Sequence, residues 1–133
     1  MKYPIRAKLL IVVAAIFVFT NMSAYAGNLD GKTFSGTTGI MGKKSSEKDE
    51  IMFENGKFTS SGCAKYGFGS GTYVTTIVGD KTHFTADIYS EKTGRIAWVG
   101  TISGDDLNAT YLWYKKGKDV KPKQIKWFKG AIN

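Results

Sequence analysis

The chain has one cysteine, one histidine and two prolines in 133 residues. The single cysteine, Cys63, excludes an internal disulfide, so the fold must be held by its core alone. Cys63 reads as a small buried apolar residue, with pairing to another molecule as the alternative. The single histidine, His83, leaves no Cys–His or Ser–His–acid set at a known spacing. His83 and Cys63 together are too few to hold a metal. The phosphate-loop patterns GxGxxG and GxxxxGK are missing. Asp105-Asp106 sits in a glycine-started turn, where aspartate normally serves the backbone, and no calcium-loop pattern surrounds it. These absences predict a protein without enzyme activity, cofactor or metal. There is also no helical stripe, internal repeat or linker, which leaves a single domain.

Only one long apolar run exists, "LLIVVAAIFVF" at residues 9–19. It is short for spanning a bilayer, which takes about 20 residues, and an uncleaved membrane anchor is the rival reading. Lys2, Arg6 and Lys8 precede it, and Ala24-Tyr25-Ala26 follows. A positive start, a short apolar middle and small residues at −3 and −1 describe a signal peptide, residues 1–26, cleaved after Ala26. No cysteine follows the cut to take a lipid anchor. The expected product is residues 27–133, a single domain located in the periplasm or outside the cell.

Export would remove three positive charges and lower the formal net charge from +8 to +5. The remaining excess lies at one end. Lys115 to Lys129 holds seven lysines and one acid, whereas residues 27–114 hold nine basic and ten acidic residues. Interleaved with Trp113, Tyr114, Trp127 and Phe128, these lysines describe an anion-binding face. A solubilising face that protects an edge strand is the plainer alternative. In an exported protein the anion would be an envelope surface, and no nucleic-acid partner is expected.

Residues 32–130 alternate with period two between short turn signals. The strands expected are 32–40, a hairpin over 50–61 with Asn55-Gly56 at its tip, 71–79, 82–90, 95–103, 107–116 and 123–130, with 42–50 as a charged connection. Asn-Gly suits the left-handed dihedrals of a two-residue hairpin turn. Ile51 and Phe53, then Phe84, Ala86 and Ile88, then Ile96, Trp98, Gly100 and Ile102, then Leu107, Ala109, Tyr111 and Trp113 mark one apolar face per strand. About eight such strands in series predict an all-β fold, a single antiparallel up-and-down barrel that removes its edges by closing. At this strand number the interior is filled by side chains or holds one small ligand.

The opening "LDGKTF", the consecutive hairpins, the closing aromatic strand and the late stretch "WVGTISGDDLNATYLWYKKG" resemble the calycin group, which includes lipocalins and avidins. Lipocalins open with Gly-x-Trp; here Gly31-Lys32-Thr33-Phe34 is one residue longer and carries Phe. The resemblance implies a secreted barrel that binds a small apolar or aromatic molecule. The interior residues expected to line its site are Phe34, Phe53, Tyr73, Phe84, Trp98, Tyr111, Trp113 and Trp127.

The stretch "SSGCAKYGFGSGTYV", residues 60–74, reads either as a corner the backbone needs or as a contact loop. "SGCAKY" and "WYKKG" also resemble the Ser-Gly…basic-Tyr loop and Trp-x-Lys-Gly segment of secreted bacterial inhibitors of c-type lysozyme. Each carries one extra residue here, and the cysteine pair is missing. That resemblance implies a protein partner met by Ser61, Lys65, Tyr66 and Lys116. Tyr66 and Phe68 are expected to flank the barrel mouth, and Ser61, Lys65, Tyr66 and Phe68 form the expected contact loop.

Overall fold

The computed structural model describes residues 24–25 and 27–133. Of the expected signal segment only Ala24 and Tyr25 are among them; the proposed cut after Ala26 lies outside the described residues. The strands are β1 (Ala24–Tyr25), β2 (Thr33–Ile40), β3 (Ser46–Glu54), β4 (Lys57–Ser60), β5 (Gly71–Val78), β6 (Lys81–Ser90), β7 (Gly94–Ser103), β8 (Asp106–Lys115) and β9 (Gln124–Ile132). A four-residue helix, α1 (Ser61–Ala64), follows β4.

Strands β2 to β9 each pair antiparallel with the next, and β9 pairs back onto β2. The result is a closed eight-stranded up-and-down barrel. β1 lies along β5, with Ala24 opposite Thr76 and Tyr25 opposite Thr75.

The turns sort by end. Asn55-Gly56, Gly79-Asp80 and Gly104-Asp105 close one end tightly. Asn55 and Gly56 have φ of 52° and 73°, the paired positive values that a two-residue hairpin turn uses. The connections 41–45, 61–70, 91–93 and 116–123 all lie at the other end. The chain before β2 seals the tight end. Leu29 is buried, its backbone N–H donates to Tyr73 Oη at 3.0 Å, and Tyr73 Oη donates to Asp30 at 2.6 Å. Asp30 also accepts from the Gly56 N–H at 3.0 Å.

Period-two alternation places the core. Phe34, Phe53, Tyr73, Phe84, Trp98 and Tyr111 are buried inside the ring. Phe53 sits among Phe34, Phe58, Tyr73 and Phe84, with ring centroids 4.9–6.1 Å away. Such edge-to-face contacts suit the aromatic quadrupole. Trp98 stacks on Tyr111 at 3.8 Å, with an interplanar angle of 11°. Small inward residues make room for these rings: a Cβ on Gly100 would lie 2.3 Å from a Phe84 ring carbon.

Residues 60–74 turn out to be wall. β4 and β5 share only the pairs Lys57–Thr72 and Phe58–Gly71. Past that seam α1 and the loop after it bridge across to β6, where the Gly69 N–H donates to the Tyr89 carbonyl at 3.3 Å. Gly71 crosses β6 so closely that a Cβ would stand 1.8 Å from the Asp87 carbonyl oxygen. No other residue fits there.

Three expectations are corrected. Trp127 was expected inside, but Phe128 is the fully buried residue of β9 and Trp127 faces outward, its ring over Gly39 of the neighbouring β2. Phe68 was expected in the contact loop flanking the mouth; it does lie at the open end, but it is 4% exposed and packs into the core, so it is not free to meet a partner. The connection expected over 42–50 is also shorter than that, because β3 already begins at Ser46.

Candidate functional site

The aromatic packing fills the barrel only part way. At the end with the long connections it stops, and a cup of about 590 Å³ opens. Tyr111, Ile96, Phe68 and Cys63 lie at its apolar side, Trp113 and Ile40 at its walls, and Thr38, Gln124 and Lys126 add polar groups. Trp98 does not line the cup; Tyr111 lies between.

Each polar group has a structural cause. Tyr111 Oη and Thr38 Oγ1 hydrogen-bond to each other. Thr38 Oγ1 also donates to the Trp127 carbonyl at 2.7 Å, so the Tyr111 ring is fixed in place. Trp113 is half-buried, and its indole N–H donates to the Thr93 carbonyl at 3.2 Å. Asp49 on β3 is buried and ties down the wall. Its carboxylate accepts from Ser60 Oγ at 2.8 Å, Ser61 Oγ at 3.0 Å, the Gly62 N–H at 2.8 Å and the Glu50 N–H at 2.7 Å. Ser60 caps α1, accepting from the Cys63 N–H at 3.1 Å. This polar cluster anchors the start of the 61–70 segment onto β3.

Of the expected contact loop, Ser61 is engaged with Asp49, and Lys65 pairs with Glu47 at 3.7 Å, both exposed. Tyr66 remains 60% exposed at the rim. Among the expected interior residues, Trp113 and Tyr111 reach the cup, while Phe34, Phe53, Tyr73, Phe84 and Trp98 are core beneath it. Trp127 instead borders a shallow outer depression of about 620 Å³, with Met41, Val99 and Thr110. Sequence reasoning missed Lys126, Gln124, Thr38 and Asp49. The register could have found them: Lys126 lies opposite Tyr111, and Gln124 opposite Trp113.

Burial raises the Cys63 thiol to about 11, despite the hydrogen bond from Ser60. It is protonated and unreactive at neutral pH. Burial, helped by the Asp30 hydrogen bond, pushes Tyr73 up to about 12, and burial also raises Tyr111. All three shifts are upward in the fold. Each therefore stabilises fully below the group's ordinary value and is lost as pH climbs toward the folded one. Thermal unfolding midpoints are expected to stay level up to the ordinary thiol value of 9.0, then fall progressively toward pH 12. Tyr73→Phe should be less stable at neutrality yet decline less steeply above the ordinary tyrosine value of 10.0. A midpoint that is flat across this range would contradict the burial of these groups.

Among the described residues no group of three or more His, Cys, Asp or Glu side chains is placed to hold a metal ion. His83 lies exposed on the outer face, its Nδ1 2.9 Å from Thr101 Oγ1. In comparisons with known proteins, no family model, curated protein or solved structure matches the chain.

Proposed function

We propose that this is a non-enzymatic binding protein of the periplasm or the cell exterior that holds a small apolar or aromatic molecule in the cup. The observation that carries the reading is where the packing stops. A barrel this size could be filled end to end, yet a space of about 590 Å³ is left between Tyr111 and the long connections. That is within the usual range for small-molecule sites, which are mostly apolar with a few placed polar groups. The closed up-and-down ring is consistent with the calycin-like architecture that the sequence resembles. Binding without chemistry is favoured because the one thiol at the cup is held protonated and no histidine lines it. A contact loop for a protein partner is the weaker reading: of its four expected residues, Ser61 is bonded inward and Phe68 is buried. Of the two that remain, Tyr66 stands at the cup's own rim and Lys65 is paired with Glu47.

Native mass spectrometry of protein purified from its own host should find a small molecule retained. A panel of lipids and aromatics should alter tryptophan fluorescence. Trp113→Phe should abolish that response, whereas Trp127→Phe, on the outer face, should leave it intact. No retained molecule and no fluorescence change across the panel would refute the proposal. A response lost with Trp127 would move the site to the outer depression.

A further inference from the structure

The fold gathers charge that the sequence keeps apart. Lys43 and Lys44, Lys65, Lys92 and the four lysines of 116–123 all fall in connections at the cup end, where Glu91 and Asp119 are the only acids in those segments. The acid-bearing turns Gly79-Asp80 and Gly104-Asp105 lie at the opposite end. The mouth is therefore basic, and it focuses anions toward the cup.

Inside the cup the charges divide by commitment. Asp49 accepts four hydrogen bonds from the α1 corner. Glu47 is paired with Lys65. Lys126 faces inward on the same side of β9 as Phe128, half-buried, with its Nζ 5.5 Å from the centre of the Tyr111 ring. Among the described residues no carboxylate lies within ion-pair range of it. A half-buried ammonium beside an aromatic face and a protonated thiol, with no carboxylate paired to it, retains donors for an incoming acceptor. Among the described residues lining the cup it is the one charge without a hydrogen bond or ion pair.

We infer that the molecule held in the cup is an amphiphile with an anionic head, a carboxylate or a group of like charge, bound at Lys126 with its apolar body against Trp113 and Tyr111. This rests on the reading of the cup as a ligand site and adds the ligand's charge. The rim lysines act on encounter, and Lys126 on retention.

The test compares decanoate with decan-1-ol, which share an apolar chain and differ in charge at neutral pH. Calorimetric titration of the full exported domain should show decanoate binding about tenfold more tightly, the size of one charge-assisted contact. Lys126→Met keeps an apolar stem and removes no ion pair, so it should fold. It should erase the preference, bringing decanoate and decan-1-ol to equal affinities on the same variant. The double change Lys116→Gln and Lys118→Gln should slow decanoate association and weaken its salt dependence, with the dissociation rate unchanged. Equal affinities on the unaltered protein would overturn the anionic head and leave the cup standing. A preference that survives Lys126→Met would overturn the assignment to Lys126. Binding of neither probe would remove the charge inference, and native mass spectrometry then decides whether the cup reading falls with it.

Discussion

Replacing Trp98 with alanine should cost about 3–5 kcal/mol, the range for deleting a large buried aromatic. Trp98 is 1% exposed and touches Phe58, Tyr111 and Phe128, so its removal opens a cavity that three separate strands would have to close. Rigid barrel walls relax poorly, which places the cost at the upper part of that range. Domains of this size are stable by roughly 5–15 kcal/mol, and the variant should melt at least about 15 °C lower. Trp98→Phe gives the contrast. Among the described residues the buried Trp98 indole N–H has no partner. Such an orphan donor itself costs about 1–3 kcal/mol. Phenylalanine removes it along with part of the ring, so the net loss should be under about 1.5 kcal/mol. Equal losses for the two variants, measured by thermal melts, would contradict the packing described.

The second large effect is expected at Asp49. Asp49→Ala strips an acceptor from two backbone N–H groups and two hydroxyls at once. The hydroxyls can turn elsewhere, and the Glu50 N–H keeps Ser61 Oγ at 3.1 Å, but among the described residues the Gly62 N–H has no such second acceptor. A loss of about 1–3 kcal/mol follows from one unsatisfied donor at a part-buried corner. The damage should be local. Amide hydrogen exchange should quicken most between residues 61 and 70, with β7 and β8 protected as before. Uniform acceleration across the barrel would mean that Asp49 supports the whole fold rather than the corner.

The parts of the fold visible in the sequence are those where one strand face meets the filled half of the barrel. Phe84, Ala86 and Ile88, or Leu107, Ala109 and Tyr111, alternate cleanly because their outward neighbours meet solvent. Alternation fails where a strand rises past the core. The first half of β3, Ser46 to Glu50, is polar on both faces because its inner face meets the cup and not the core. Its one buried side chain is the aspartate Asp49. The run therefore reads as a charged loop. In β9 two aromatics stand side by side, and pattern alone cannot say which points in. The choice falls to Phe128 because Gly39 on the adjacent strand leaves outer space for the Trp127 indole. That neighbour is known only once β9 is paired with β2. Lys126 was hidden for the same reason, as one lysine among seven until the register set it opposite Tyr111. The glycines of 60–74 could be seen as a bend, but the close crossing over Asp87 that requires Gly71 depends on the closure of the ring.

The central claim is a barrel packed solid below Tyr111 and open above it. Backbone amide chemical-shift mapping on titration with decanoate tests it most directly. The account predicts perturbations at Ile40, Ser46, Tyr66, Trp113, Gln124 and Lys126, with Phe34, Phe53, Phe84 and the turn at Asn55-Gly56 unmoved. Perturbations centred on Val99, Thr110 and Trp127, or spread through the tight-turn end, would contradict it.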